Sequence, residues 1–166
     1  LADDETVFAD ATWLSFIVGQ VLANAAKYGA SCVGVQQVST EAIAKYSSVK
    51  VEPLGPRTFR VTDMVEKPRP EEIFSHYAIL GRYVLRPGIF NILEDLEPGY
   101  GGEIQLTDGL KALCRRDKMV AVDFEGKRYD TGNLKGFLEA TVDFSLAHPE
   151  TGEWLRGFLK EKVKEL

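Results

Sequence analysis

The spacing of apolar and polar residues alternates along the chain between a helical and a strand-like period. Apolar residues recur at helical spacing from residue 14 to residue 25, which predicts a helix that begins after a cap at Asp10 and is closed by Gly29. Runs rich in β-branched and aromatic residues predict strands at 31–38, 58–65, 77–85 and 119–124. A β-ribbon that begins at Ser47 interrupts the alternation of strands and helices, so we expect an α/β fold with a mixed sheet.

Two segments carry sharper structural expectations. The run 77–85 is almost wholly apolar, which is the pattern of a strand that is buried on both faces. Thr107 or Asp108 is expected to cap a helix that runs to Cys114 and Arg115, because short polar side chains at that position bond to the first free backbone N–H groups.

The C-terminal part of the chain is predicted to be helical. One helix is expected to follow Asn133, with a buried face formed by Phe137, Ala140, Thr141 and Phe144. A last amphipathic helix, 152–166, carries Trp154, Leu155, Phe158 and Leu159 on one stripe. That much aromatic surface is expected to pack either on its own domain or across a homodimer interface.

Composition places the chain among ordinary globular proteins and narrows its partners. With 166 residues, 45% of them hydrophobic and 27% charged, we expect one domain, 1–166. No apolar run approaches a membrane span and the first residues are acidic, so a cytoplasmic protein is expected. A net charge of −5 argues against a nucleic-acid polymer as partner, although a divalent cation can still bring a phosphorylated ligand to an acidic site. Cys32 and Cys114 are expected to be buried free thiols.

The stretch Glu66-Lys67-Pro68 is the sharpest candidate for chemistry. Pro68 ends the strand that precedes it, so Lys67 should extend beyond the strand end, where ligands bind in open α/β sheets. The Glu66 carboxylate is suited to accept hydrogen bonds from sugar hydroxyls, and the Lys67 ammonium is suited to phosphate. The alternative is a solvated turn without a function.

Two further acidic sites are candidates for chemistry, and the first of them is a candidate for a metal. Asp3 and Asp4 are adjacent carboxylates that suit Mg²⁺, with a frayed acidic terminus as the alternative. Asp130 precedes Thr131 and Gly132 at the head of a predicted helix, which places a carboxylate beside backbone N–H groups and a positive helix end.

Four segments in register resemble a known family. They are residues 65–68 (VEKP), 78–84 (AILGRYV), 101–108 (GGEIQLTD) and 124–133 (FEGKRYDTGN). In this order and spacing they resemble the bacterial UTP-glucose-1-phosphate uridylyltransferases, which are sugar nucleotidyltransferases. The resemblance implies a partial nucleotide-diphospho-sugar transferase fold, Rossmann-like, with a mixed sheet flanked by helices and with the N-terminal strands absent. It also implies transfer of UMP from UTP to glucose 1-phosphate, which yields UDP-glucose and pyrophosphate with Mg²⁺, in a homo-oligomer.

The resemblance assigns roles to individual residues. Glu66 would bind sugar hydroxyls, Lys67 would bind the phosphate of the sugar phosphate, and Asp3 and Asp130 would bind the metal. Lys67 and Asp130 are therefore the expected catalytic residues. Ser47 stands where the family has glycine and where the backbone approaches the sugar, so its side chain is expected to contact the substrate or to crowd the hexose.

The resemblance covers the family's C-terminal portion, with the sugar-phosphate and oligomer contacts. The Gly-rich triphosphate loop and the uracil-contacting residues of the family have no counterpart in this sequence. The isolated chain is therefore expected to form no UDP-glucose. Strands such as 32–38 and 77–85 are expected to lose pairing partners or cover on one side, so that the chain, if it folds, forms a dimer or higher assembly that covers the open edge. A thymidylyltransferase, another sugar nucleotidyltransferase, or a non-catalytic module for sugar-phosphate binding and oligomerisation remain alternatives.

Overall fold

The computed structural model describes residues 11–99 and 102–166. Asp3, Asp4 and the expected cap at Asp10 lie outside the described residues, as do two residues of the Gly-rich turn. The chain divides into two compact units, of which the first ends at Gly126 and the second is Lys127–Leu166. Each unit is described by itself, and the expectation of one domain over the whole chain stays a prediction.

The first unit contains all the strands of the described residues. These are β1 (Ser31–Gln37), β2 (Ser47–Gly55), β3 (Thr58–Glu66), β4 (Tyr77–Val84) and β5 (Met119–Asp123). Its helices are α1 (Ala11–Tyr28), α2 (Thr40–Ile43), a 3₁₀ turn (Pro70–Glu72), α3 (Gly88–Glu94) and α4 (Leu106–Arg116). The second unit holds α5 (Leu134–Ala147) and α6 (Gly152–Val163).

The strands form a closed ring in the order β1-β4-β2-β3-β5. β5 pairs with β1 in parallel, and the other four pairings are antiparallel, so the mixed α/β sheet is confirmed. The expected open edge is wrong for the described strands, because β1 pairs with β4 and β5, and β4 pairs with β1 and β2. The hairpin formed by β2 and β3 closes the ring, because β2 pairs with β4 and β3 pairs with β5.

The core lies on both faces of β1 and β5. Side chains alternate along a strand, so Val33 and Val35 of β1 enter one buried cluster with residues of α3 and α4. Cys32 is the second residue of β1, and it lies in a second buried cluster with residues of α1 and α2. Burial at this position raises the pKa of the Cys32 thiol to about 12.

β4 departs from the expectation that it is buried on both faces. Ala78, Ile79 and Leu80 are buried, whereas the following Gly81, Arg82 and Tyr83 are exposed. Gly81 has a φ of 72° and the β1–β4 register shifts beside it. This irregularity turns the second half of the strand out of the core, which the apolar pattern does not reveal.

The predicted helical faces are only partly confirmed. Within the apolar run 14–25 of α1, Val21 is buried but Leu22 is 50% exposed. In the second unit Ala140 is buried, whereas Phe137 and Phe144 are each about half exposed. Trp154 and Phe158 stack on each other on α6, and both are exposed. None of the helices in the described ranges is long and apolar enough to cross a membrane.

Candidate functional site

The candidate site of the first unit is built around the Glu66 carboxylate. Glu66 ends β3 and pairs in register with Ser47, the first residue of β2. The Ser47 hydroxyl donates to Glu66 Oε2 at 2.5 Å, and the Thr107 hydroxyl donates to the same oxygen at 2.7 Å. Ser47 Oγ and Thr107 Oγ1 are also 3.0 Å apart. Three separate elements thus meet at one carboxylate oxygen.

The second oxygen of Glu66, Oε1, differs from Oε2 in its hydrogen bonding. Within residues 11–99 and 102–166, no protein donor bonds to Glu66 Oε1. Glu66 is only partly buried, so this oxygen can accept a hydrogen bond from a hydroxyl of a bound ligand. Ser47 and Glu66 are therefore brought together, and their predicted roles in substrate binding stay predictions.

Thr107 is the site residue that the sequence did not identify. The expectation that Thr107 or Asp108 caps α4 is wrong, because the cap residue is Gln105 and Thr107 is buried within the first turn. The Thr107 hydroxyl instead reaches β3, 41 residues earlier in the chain. The sequence signal for a role of Thr107 was its position in the GGEIQLTD segment, but nothing in the sequence connects Thr107 with Glu66.

Lys67 leaves the strand as expected. β3 ends at Glu66, and Lys67 has a φ of 45°, which is uncommon for a residue other than glycine and strains the backbone by about 1 kcal/mol or more. Its N–H donates to the carbonyl of Tyr46 at 2.9 Å, so the turn remains tied to the residue before Ser47. The Lys67 side chain is exposed and the following Pro68 is buried. The lysine is thereby held at the edge of the Glu66 network.

Tyr83 lies within electrostatic reach of the same carboxylate. Although Tyr83 is 38% exposed, the partial burial of its phenol raises the pKa, the negative charge of Glu66 raises it further, and the N–H of Gly81 partly offsets both effects. Tyr83 is therefore coupled electrostatically to Glu66. The sequence marked Tyr83 only as part of a buried strand and assigned it no role.

Ion pairs hold α4 against β3. Arg115 donates to Asp63 Oδ2 at 2.9 Å, and Lys111 Nζ is 3.7 Å from Asp63 Oδ1. Partial burial acts to raise the pKa of Asp63, but the bonds from Arg115 and from the Met64 N–H, with the charge of Lys111, lower it more. Because α4 carries Thr107 and β3 carries Glu66, these pairs help to keep the two bonded side chains in register.

Asp130 lies in the second unit, before α5 as predicted. Its Oδ1 accepts from the Gly132 N–H at 3.2 Å, and its backbone carbonyl accepts from the Asn133 side chain at 3.0 Å. Asn133 caps α5 by accepting from the Gly136 N–H at 3.0 Å. A Cβ at Gly136 would come within 2.1 Å of the Asp130 carbonyl, so only glycine allows the loop to pack this closely.

A second set of contacts anchors the residues just before Asp130. The Tyr129 hydroxyl donates to Asp143 Oδ2 of α5 at 2.7 Å, and Lys127 makes a hydrogen-bonded ion pair with the same oxygen. The Tyr129 ring also packs on Phe144, with centroids 5.5 Å apart. Lys127 and then Tyr129 lower the pKa of Asp143. Together these contacts fix the direction in which the chain enters the Asp130 loop.

The expected metal pair can be tested only in part. Asp3 lies outside the described residues, while the side chain of Asp130 is 41% exposed with the Arg128 guanidinium 4.0 Å away. An exposed carboxylate is the hard oxygen donor that Mg²⁺ prefers, so Asp130 fits that ion chemically. Across the described parts of the chain, no three His, Cys, Asp or Glu side chains are grouped to hold a metal.

Comparison with known proteins bears on these residues. A family model described as nucleotidyl transferase matches residues 1–145. The chain is 40% identical over 137 residues to the UTP–glucose-1-phosphate uridylyltransferase YngB of Bacillus subtilis, covering 82% of this chain and 46% of the relative. It is 45% identical over 115 residues to the UTP–glucose-1-phosphate uridylyltransferase of Pseudomonas aeruginosa, covering 69% of this chain and 41% of the relative.

Solved structures agree with the sequence relatives. A UDP-glucose pyrophosphorylase in complex with UDP-glucose has a TM-score of 0.77 and 37% identity, covering 80% of this chain and 50% of that one. A UTP-bound enzyme from Acinetobacter baumannii has a TM-score of 0.74 and 27% identity, covering 86% of this chain and 49% of that one. The chain thus spans about half the length of the relatives it matches, and the resemblance found in the sequence is confirmed.

Proposed function

Since this chain belongs to the nucleotidyl transferase family, we propose that it supplies the sugar-phosphate side of a UTP-glucose-1-phosphate uridylyltransferase. The whole enzyme would transfer UMP from UTP to glucose 1-phosphate and release UDP-glucose and pyrophosphate. Support comes from relatives of that name that are 40% and 45% identical to this chain. The observation that carries the assignment of the site is the Glu66 carboxylate, held through one oxygen by Ser47 and Thr107.

Glu66 would bind the sugar. Its Oε2 is occupied by two hydroxyl donors, which fixes the orientation of the carboxylate, while its Oε1 can accept from a hydroxyl of the hexose. Ser47 would act mainly through Glu66, because its side chain is 7% exposed and its hydroxyl donates to that carboxylate. A preoriented acceptor strengthens binding since less freedom is lost when the sugar arrives.

Lys67 would bind the phosphate of glucose 1-phosphate. A phosphate oxygen of this substrate attacks the α-phosphorus of UTP and pyrophosphate leaves, so the protein needs to supply position and positive charge and no side-chain nucleophile. An exposed ammonium next to the sugar-binding carboxylate can hold the attacking phosphate beside the sugar site. The strained backbone at Lys67 supports a functional role, because such strain clusters at binding sites.

Asp130 and Asp3 would hold Mg²⁺. When bound, the ion supplies positive charge that offsets the charge of the triphosphate and the leaving pyrophosphate. Asp130 suits this task, because Asn133, Gly136 and the Tyr129–Asp143 bond fix its loop on α5. The protein's own contribution at this point is therefore a rigid and exposed carboxylate.

The parent enzyme is further proposed to be a cytoplasmic homo-oligomer. Cys32 and Cys114 are free thiols, which agrees with a reducing compartment. Exposed apolar side chains on α6, above all Trp154 and Phe158, support a contact with another surface.

A nucleotide panel tests the function. UTP, dTTP, CTP and GTP would each be incubated with glucose 1-phosphate and Mg²⁺, and pyrophosphate release measured, for the 166-residue chain and for the same protein with its N-terminal half. We expect release with UTP from the longer protein and none from the short chain. Preference for dTTP would instead favour the thymidylyltransferase alternative. Sugar-phosphate binding without turnover by the longer protein would favour the non-catalytic module.

A further inference from the structure

A cleft of about 730 Å³ lies in the first unit where the end of α4 meets β3 and the beginning of β5. Its walls include residues 60–62 of β3, residues 114–118 at the end of α4, and residues 119 and 120 of β5. On β3, Arg60 is six residues before Glu66, which corresponds to about 20 Å along an extended strand. The cleft is therefore separate from the Glu66 network.

The cleft is basic although the chain is acidic. Of the described residues that line it, four are basic and one is acidic, namely Arg60, Arg115, Arg116, Lys118 and Asp117. The chain as a whole has a net charge of −5. A cluster of cations in an acidic chain focuses a positive potential within the cleft and attracts anions there.

Three of the four cations have no counter-ion among the residues that the structure describes. Arg115 pairs with Asp63, and the cleft's one acid, Asp117, pairs with Arg86. In contrast, the side chains of Arg60, Arg116 and Lys118 make no hydrogen bond or ion pair with any residue of 11–99 or 102–166. The nearest acid in the β-ladder, Glu52, faces Arg60 across β2 and β3 and forms no ion pair with it.

The end of α4 weakens this attraction for anions without abolishing it. The C-terminal end of a helix carries roughly half a negative charge, which repels an anion. Arg115 and Arg116 lie in that last turn and offset it locally. Arg60 and Lys118 then provide two further full charges from outside the helix, so the balance still favours a negatively charged ligand.

Apolar surface accompanies the charges. Val61, Met119 and Val120 are buried residues that reach the cleft, while Leu54 is 40% exposed at its margin. The Tyr28 ring also lines the cleft. A ligand that satisfies both parts of this lining carries an anionic group at one end and an apolar or aromatic body at the other.

We propose that this cleft binds a small phosphate monoester with an apolar or aromatic portion. Arg60, Arg116 and Lys118 would contact the phosphate, because guanidinium groups bond phosphate oxygens in pairs and ammonium adds a point charge. The apolar portion would lie against Val61 and Met119. This site is independent of the proposed transfer reaction, since no residue of the Glu66 network lines it.

Titration with phenyl phosphate, followed by backbone amide chemical shifts of the 166-residue chain, tests the proposal. We expect saturable shifts centred on Val61, Met119 and Val120. The triple variant Arg60→Gln, Arg116→Gln, Lys118→Gln should weaken binding at least about tenfold, which corresponds to about 1.4 kcal/mol. All three side chains are exposed, so the variant should fold, and its thermal unfolding and amide spectrum verify this.

Matched controls separate the cleft from other sites. Lys45→Gln removes an exposed lysine outside the cleft and should leave the affinity unchanged. Phenol, which lacks the phosphate, should bind at least about tenfold more weakly than phenyl phosphate. The proposal is overturned if phenol binds equally well, if the folded triple variant retains full affinity, or if no shifts appear. It is also overturned if Lys67→Ala abolishes binding, because the probe would then occupy the proposed sugar-phosphate site.

Discussion

Ser47 and Glu66 face each other across the β2–β3 hairpin, and the Ser47 hydroxyl donates to Glu66 Oε2 at 2.5 Å. Thr107 of α4 donates to the same oxygen at 2.7 Å, so the hairpin and the helix share one acceptor. The carboxylate is thereby fixed in orientation with its other oxygen directed away from these donors. We regard this arrangement as the structural basis of the proposed sugar site, and it leads to the first prediction.

Thr107→Val should weaken glucose 1-phosphate binding while the fold persists. Valine has nearly the same shape but lacks the hydroxyl, and a hydrogen bond to a charged group contributes about 1.5–3 kcal/mol. We expect KM for glucose 1-phosphate to rise about tenfold or more in the protein that includes the N-terminal half. Steady-state kinetics with that substrate varied measure this effect.

The matched control for Thr107 is Thr141→Val. Thr141 donates to the carbonyl of Phe137 within α5, so the same chemical change there should leave KM almost unaltered. If KM is unchanged in both the Thr107→Val variant and the Thr141→Val control, the bond to Glu66 does not serve sugar binding.

Lys67→Ala should reduce kcat/KM at least about a hundredfold in the longer protein. A cation that is directed at phosphate in a transfer site is worth roughly 3 kcal/mol or more. Lys45→Ala, which removes an exposed lysine before the same hairpin, is the control and should retain normal kinetics. Near-normal turnover in the Lys67→Ala protein would identify this lysine as a residue of a solvated turn.

Asp130→Asn should raise the Mg²⁺ concentration needed for half-maximal rate and also lower the maximal rate. The amide keeps the size and the bond to the Gly132 N–H but loses the charge that favours a hard divalent ion. Rates measured over a range of Mg²⁺ concentrations reveal the change, and Asp95→Asn at an exposed position serves as the control. If the Mg²⁺ dependence stays the same, Asp130 has no metal role.

Asp63→Asn should destabilise the protein in a manner that depends on pH. The pKa of Asp63 in the folded protein lies below the ordinary value of 3.8, because Arg115, Met64 and Lys111 together outweigh partial burial. The stabilisation is therefore complete above the ordinary value and is lost as pH falls through the lower folded pKa. Near neutral pH we expect a loss of about 1 kcal/mol, a modest amount because the site is partly solvated.

Urea unfolding of the native and Asp63→Asn proteins at neutral pH and at progressively acidic pH measures the difference. The two curves should converge as pH falls below the ordinary carboxyl range. Glu161→Gln, which removes one exposed i,i+3 ion pair with Lys164 on α6, should change stability little at any pH. A difference for Asp63→Asn that persists unchanged in acid would contradict the assignment.

The local pattern of residues was sufficient to locate most of the secondary structure and one part of the site, the strand end at Glu66. The strand ending at Glu66 was predicted from β-branched residues followed by Pro68, and β3 does end there. The segment order was sufficient to identify the family, which the family model confirms. The strand and its end depend on neighbours within a few residues, and the segment order can be read along the chain, so both are recorded directly in the sequence.

Long-range contacts were decided by the tertiary structure. The Thr107–Glu66 bond joins residues 41 positions apart, and no periodicity in either segment specifies the other. The ring closes because β3 pairs with β5 through Thr58–Val122 and its neighbours, a pairing that the sequence did not predict. The turn of β4 at Gly81 likewise depends on the register of β1 beside it. The sequence pattern indicates which side chains favour burial. Strand pairing and packing decide which side chains come into contact, because pairing and packing depend on all the elements of the fold at once.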